Sequence, residues 1–268
     1  MKRRAVVIAG LAAAIAAGIK IGTDTPQFLF ADEFDGPYGS PPDPAKWTHD
    51  TGAGGWGNSE MQDYTDSTAN CFQDGQSHLV IRALRSGPGR HGSYTSARIK
   101  TEGLFTLSHG TFEARIKLNR QPGTWPAFWL LGPHGLLGWP QCGEIDVMES
   151  YGDLSRPPDS TVHTASDNGQ ATSAAMPIPD GIDDGWHTYM VRHEPGNGNV
   201  TFGKDGRAYF TVKPGDLPNW PFGTPGHEGV PLFMILNLAV GGTGGAGAPP
   251  ASTPFPVDML VDWVHVWQ

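Results

Sequence analysis

The sequence is short of the residues that would place it in several large classes of protein. It has two cysteines, Cys71 and Cys142, in 268 residues. That excludes a multiply disulfide-bonded scaffold and a thiolate zinc site of four cysteines. Whether the two thiols pair or stay free is left open by their spacing. Charged residues are 17% of the chain, with 18 Lys and Arg against 27 Asp and Glu, for a formal net charge of −9. No basic stripe follows the first few residues, so the electrostatic footprint of a nucleic-acid binder is missing. Long apolar runs are missing too. The one candidate, MKRRAVVIAGLAAAIAAGIKIG, has an apolar stretch of roughly 15 residues, against the ~20 that a spanning helix needs. Beyond it, no segment carries a long, capped helical period.

The N-terminal stretch reads as an export signal over residues 1–24, with Lys2, Arg3 and Arg4 as its basic tip. Arg3–Arg4 point toward the twin-arginine route. No A-x-A cleavage site is visible, so an uncleaved N-terminal anchor is the alternative. Either way the chain is expected in the cell envelope or outside the cell, with no membrane span in the mature form.

What the chain does have is 37 glycines, 24 prolines and nine tryptophans. The glycines and prolines punctuate short apolar runs, as in a turn-rich all-β domain. In GTFEARIKL, Phe112, Ala114, Ile116 and Leu118 alternate with Thr111, Glu113, Arg115 and Lys117, the pattern of a half-buried strand. Asp205–Gly206 between two alternating runs predicts a tight hairpin. VPLFMILNLAV is apolar nearly throughout, as a strand covered on both faces would be. Gly241–Pro254 has the composition of a linker, but a tail after it would be too small to fold alone. It is read as a surface loop before a last strand. Residues 25–268 are therefore expected to form one domain, a β-sandwich or barrel.

The segment GEIDVMES raises a problem of geometry. On a regular strand Glu144 and Asp146 share a face and Glu149 takes the other. One extra residue at Val147–Met148, a β-bulge, would bring all three carboxylates to one face. Closely packed carboxylates cannot all ionise cheaply, so such a set can hold one ionised and one protonated member at the same pH. That is what glycosidic bond cleavage by paired carboxylates requires. A solvated acidic surface or a calcium or magnesium cluster are the competing readings. Nearby tryptophans, Trp56, Trp125 and Trp129, in Gly-rich polar surroundings suit the stacking faces of a carbohydrate site.

From FADEFDG to MLVDWVHVW, nearly the whole chain after the N-terminal stretch resembles glycoside hydrolase family 16, in particular its laminarinase-like bacterial endo-β-1,3-glucanases. The motifs that carry the resemblance are GWGNSEMQDYT, YTSARIKT, GTFEARIKL, GTWPAFWLLGP, WPQCGEIDVMES, TVHTA, LNLAVGG and FPVDMLVDWVHVW, in family order. The resemblance implies a jelly-roll β-sandwich of two antiparallel sheets with a concave substrate groove. It also implies a retaining double displacement on β-1,3-glucan, with Glu144 as nucleophile, Glu149 as acid/base and Asp146 as the helper between them. Trp125, Trp129, Arg98, Asn58, Trp56, His163 and Asn237 are the implied substrate-binding residues, His163 and Asn237 with structural roles as the alternative. No cofactor is implied for catalysis. A structural calcium on Glu33, through its backbone, Gly75 and Asp262 is implied by position, and a monomer is expected. Alternatives are a non-catalytic glucan-binding module, a transglycosylase, and a hydrolase of mixed-linkage glucan, agarose or carrageenan.

Overall fold

Alternation in sequence becomes alternation in burial. In Gly110–Leu118 the side chains of Phe112, Ala114, Ile116 and Leu118 enter the core, while Glu113 and Arg115 are half-buried and Lys117 is exposed. Each large apolar side chain so buried contributes roughly 1.5–3 kcal/mol of transfer free energy. The structure, a computed structural model, describes residues 27–86, 93–152, 155–180, 184–244 and 246–268. The export signal expected over residues 1–24 lies outside them.

Two large sheets pack face to face in a jelly-roll sandwich. One has seven strands, in the order Ala171–Pro177, Asp159–Ala165, Glu144–Glu149, Thr124–Leu131, Phe233–Val240, Arg98–Lys100, Thr48–Asp50. The other has ten, with Gly110–Leu118 and Val257–Trp267 at its centre. Among the described strands of the two sheets the pairing is antiparallel, with one short parallel pair, Gln62–Tyr64 beside Tyr94–Ser96. A buried cluster that includes Phe112, Phe128, Ile145, Phe202, Leu236 and Val264 fills the space between the sheets. Phe233–Val240 is buried along its whole length, as its unbroken apolar sequence requires.

The turns follow residue chemistry. Asp205 and Gly206 both take positive φ, 50° and 76°, between paired Lys204 and Arg207. That is the backbone of a two-residue hairpin whose twist matches its strands. The Gly-rich segment after Val240 is not a free linker. Thr243 N–H donates to Asn58 C=O at 2.6 Å, and Gly244 lies so close to Trp125 that an added Cβ would sit 2.0 Å from the indole ring. The only α-helix among the described residues is the four-residue turn His134–Leu137. No described helix is long and apolar enough to cross a membrane. Cys71 and Cys142 are both free and buried.

Glu144–Glu149 carries the bulge. Toward Asp159–Ala165, Asp146 pairs with Thr161 and Glu149 with Asp159, so Val147 and Met148 together oppose Ser160. Toward Thr124–Leu131, Asp146 pairs with Trp129 and Met148 with Phe128, so Val147 is the extra residue. Val147 and Met148 both join the core cluster, which sends Glu149 back to the face of Glu144 and Asp146. The disrupted ladder is tied down by the fully buried Ser160, whose Oγ donates to Val147 C=O at 2.6 Å and lies 2.5 Å from the Tyr209 hydroxyl. Ser160→Ala would leave that carbonyl and that hydroxyl without their partner. The expected cost is about 1–3 kcal/mol, read as a lower urea midpoint at unchanged m-value. A midpoint equal to wild type would mean that the bulge does not depend on this bond.

Candidate active site

The pleat of the seven-stranded sheet explains which side chains meet. Cross-strand partners share a face, and three successive rows of partners run across the outer side of this sheet. The first holds His163, Glu144 and Leu131. The second holds Thr161, Asp146, Trp129, Ile235 and Lys100. The third holds Asp159, Glu149, Ala127, Asn237, Arg98 and Asp50. Without the bulge Glu149 would drop out of the third row into the core.

Glu149 accepts a hydrogen bond on each oxygen, from Trp125 Nε1 at 3.0 Å and from the Tyr151 hydroxyl at 3.0 Å. His163 Nε2 lies 3.0 Å from Asp146 Oδ2 and 3.8 Å from Glu144 Oε1. Burial raises the pKa of Glu144, and the negative charge of Asp146 raises it further, while His163 and Arg98 oppose the rise. Burial and the charge of Glu149 push Asp146 well above the usual carboxylate range. Burial also raises Glu149, against the hydrogen bonds from Tyr151 and Trp125 and the charge of His163. All three carboxylates are thus pushed toward the protonated form. His163 opposes the rise at both Glu144 and Glu149, and Arg98 opposes it at Glu144.

The tryptophans are held in place by polar partners. Trp129 Nε1 donates to Asn237 Oδ1 at 2.7 Å, and Asn237 Nδ2 donates to the Tyr64 hydroxyl at 3.1 Å. Tyr64 passes the chain on to Glu60 Oε2 at 3.3 Å, which also accepts from Gln62 Nε2 at 2.6 Å. Asn237 is 6% exposed, and each of its amide atoms makes one of these bonds, which ties Trp129 to Tyr64. The Arg98 guanidinium sits between two indoles, 5.1 Å from the Trp56 ring centre and 4.7 Å from that of Trp129. Its Nε is 2.9 Å from Asp50 Oδ2. Asn58 turns toward Glu60, with Nδ2 3.4 Å from Oε1. All seven expected substrate-binding residues therefore lie on or beside the carboxylate face, six with their side chains in this network or against the carboxylates and Asn58 at its edge.

Residues 33, 75 and 262 lie on the ten-stranded sheet and its turns. The Asp262 carboxylate is in an ion pair with Arg115, and His78 Nε2 is 3.9 Å away. Glu33 Oε1 is 2.6 Å from His265 Nε2. The set offers a calcium ion one side-chain carboxylate, already balanced by a guanidinium, and hard cations want several uncommitted oxygens. As arranged, these residues fit a calcium poorly. Among the described residues, the ligand-type cluster is Glu144, Asp146 and His163, whose donor atoms lie within 4.8 Å of one another.

Sequence reasoning missed Glu60, Tyr64, Asp50 and Tyr151. Glu60 and Tyr64 sit inside the GWGNSEMQDYT motif, so a signal was present. Tyr151 lies past the end of the strand, where strand periodicity says nothing.

A β-sandwich that lines up acidic groups and indoles on one open face has the build of a glycoside hydrolase. The family model for glycosyl hydrolases family 16 matches residues 58–232, and the chain belongs to that family. It is 34% identical to the beta-glucanase of Rhodothermus marinus, over 90% of this chain and 85% of that protein. It superposes on the laminarinase catalytic domain of Thermotoga maritima with a TM-score of 0.75 and 34% identity, covering 91% of this chain and 99% of that one. It also superposes on an immunostimulatory antigen and pseudo beta-1,3-glucanase of Mycobacterium tuberculosis, with a TM-score of 0.73, 39% identity, and 90% and 98% of the two chains covered.

Replacing Asn237 with Ala would leave the Trp129 indole N–H without its acceptor and remove one partner of the Tyr64 hydroxyl. A loss of about 1–3 kcal/mol in unfolding free energy is expected, together with a changed tryptophan emission spectrum. Unchanged stability and emission would show that the indole has another acceptor.

Proposed function

We propose that this glycoside hydrolase is an exported, retaining endo-β-1,3-glucanase acting as a monomer. The observation that carries the reading is the bulge at Val147–Met148, because it sets Glu144, Asp146 and Glu149 side by side on one open face. Similarity to a beta-glucanase and to a laminarinase favours a β-1,3-glucan as substrate. The site is built from one chain, so a monomer suffices.

In this reading Glu144 attacks the anomeric carbon and forms a glycosyl-enzyme. Glu149 protonates the departing oxygen, then takes the proton of the incoming water. Asp146 couples to Glu149 and tunes its protonation, and His163 offsets the charge of Glu144. Trp125 and Trp129 offer indole faces to sugar rings, and Arg98 and Asn58 donors to their hydroxyls. Two carboxylates on one strand face favour the short separation of retaining enzymes, roughly 5–5.5 Å. Following fresh product by proton NMR, the β anomer is expected first. The α anomer appearing first would establish inversion. Glu144→Gln and Glu149→Gln are each expected to lower kcat by a factor of about a thousand or more at near-wild-type stability. Activity within tenfold of wild type in either variant would overturn the assignment.

A second reading is a glucan-binding protein without catalysis, favoured by the 39% identity to a pseudo beta-1,3-glucanase. Release of reducing ends from laminarin by the wild-type chain separates the two. Binding without release would support the second. A structural calcium on Glu33, Gly75 and Asp262 requires that Arg115 give up Asp262. Calcium chloride should then raise Tm and chelator should lower it. Tm unmoved by either would rule that site out.

A further inference from the structure

Tyr151 stands outside every motif that marks the site, yet its hydroxyl occupies one of the two oxygens of Glu149. Its position is tightly fixed. On one side Ser150 N–H donates to Pro126 C=O at 3.1 Å. On the other the chain turns at Gly152, with φ +69°, where an added Cβ would meet Gln121 C=O at 2.4 Å. The ring lies 5.5 Å from the Trp125 ring, and the Arg156 guanidinium covers it at 4.7 Å. Arg156 is in turn paired with Asp159. The ring is thus packed between an indole and a guanidinium, and its O–H bond can still rotate.

The two donors on Glu149 are chemically unequal. The Trp125 indole N–H, on Oε1, can only donate. The Tyr151 hydroxyl, on Oε2, can donate or accept. Suppose Glu149 gains a proton. On Oε1 that proton would confront the indole N–H. On Oε2 it meets a hydroxyl that can turn and offer a lone pair. We propose that Tyr151 is a positioning residue for Glu149, whose hydroxyl reverses its hydrogen bond as Glu149 gains and loses the proton exchanged with the sugar. The proton balance closes without ionising the tyrosine. When Glu149 is protonated on Oε2, Tyr151 oxygen accepts from it. When that proton passes to the departing glycosidic oxygen, the phenolic O–H turns back and donates to the carboxylate. Burial and the charges of Glu149 and Asp146 keep the phenol protonated throughout.

The other groups facing Glu149 are the Trp125 indole on one neighbouring strand, Glu144 and Asp146 on its own strand, and His163 and Asp159 on the other. The Tyr151 and Trp125 hydrogen bonds and His163 favour the Glu149 anion, and Asp159 opposes it. The bond that the hydroxyl donates to the anion is charge-assisted and stronger than the reversed bond it accepts from the neutral acid, so removing the Tyr151 hydroxyl raises the pKa of Glu149, and an acid that must be protonated to act then stays active to higher pH.

The inference rests on the reading of Glu149 as acid/base, so its test carries a readout that does not need turnover. Tyr151→Phe keeps the ring against Trp125 and Arg156 and removes only the oxygen. The Trp125 Nε1–H resonance is followed by NMR against pH in wild type, Tyr151→Phe and Glu149→Gln. The indole should titrate in wild type, titrate about one pH unit higher in Tyr151→Phe, and not titrate in Glu149→Gln. In kinetics on laminarin, the alkaline limb of kcat/KM for Tyr151→Phe should move up by the same amount. Its kcat at the wild-type optimum should fall roughly tenfold, with KM within about twofold. An indole midpoint and an alkaline limb that both superpose on wild type would overturn the role of Tyr151 and leave Glu149 as acid/base intact. Full activity in Glu149→Gln would instead overturn the assignment of Glu149, and the role of Tyr151 with it.

Discussion

The structure turns on one inserted residue in a strand that has core on one side and an open face on the other. A strand can show six successive residues to alternate faces at no cost, but it cannot show the first, third and sixth to the same face. Val147 breaks that parity. The break is tolerated because both bulged side chains, Val147 and Met148, are apolar and buried in the main core. The Val147 carbonyl, at the bulge, accepts from the Ser160 hydroxyl. A functional demand on the open face is thus met by hydrophobic packing and a single hydrogen bond on the hidden face.

Crowding three carboxylates on one face would be costly if each kept its charge. The surrounding side chains divide that cost unequally. His163 and Arg98 act on Glu144, two neutral donors and His163 act on Glu149, and Asp146, with His163 Nε2 at 3.0 Å, is raised by burial and by the charge of Glu149. Inequality of this kind is what allows one fold to keep a base and an acid a few ångströms apart. Arg98 does a second task. Stacked between Trp56 and Trp129 and anchored by Asp50, it fixes two aromatic faces while bringing positive charge to the acidic row.

The aromatic side of the site depends on an equally specific set of contacts. Trp129 is held through Asn237, Tyr64 and Glu60. Trp125 is held by Glu149 at its nitrogen and by the backbone of Gly244 against its ring. Gly244 therefore has a steric reason to be glycine, since a side chain there would displace the indole. Flexibility alone, the usual reading of a Gly-rich tract, does not explain it.

Much of this was legible in the sequence. Alternation in Gly110–Leu118, the Asp205–Gly206 hairpin and the unbroken apolar run at Phe233–Val240 gave the all-β sandwich, because strand burial has a period of two and turn residues have distinct backbone preferences. The impossible parity of Glu144, Asp146 and Glu149 predicted the bulge. The family motifs named the residues that line the face. Tertiary structure alone decided the rest. That Asn237 ties Trp129 to Tyr64 was visible only once the three side chains were seen together. The expected calcium residues could not be weighed until Arg115 was seen on Asp262. Tyr151 carried no periodic signal, because its importance comes from where the chain turns after the strand. A sequence fixes which faces are apolar and where the chain bends. Which polar atoms meet across strands tens of residues apart is set only when register and packing bring them within hydrogen-bond distance.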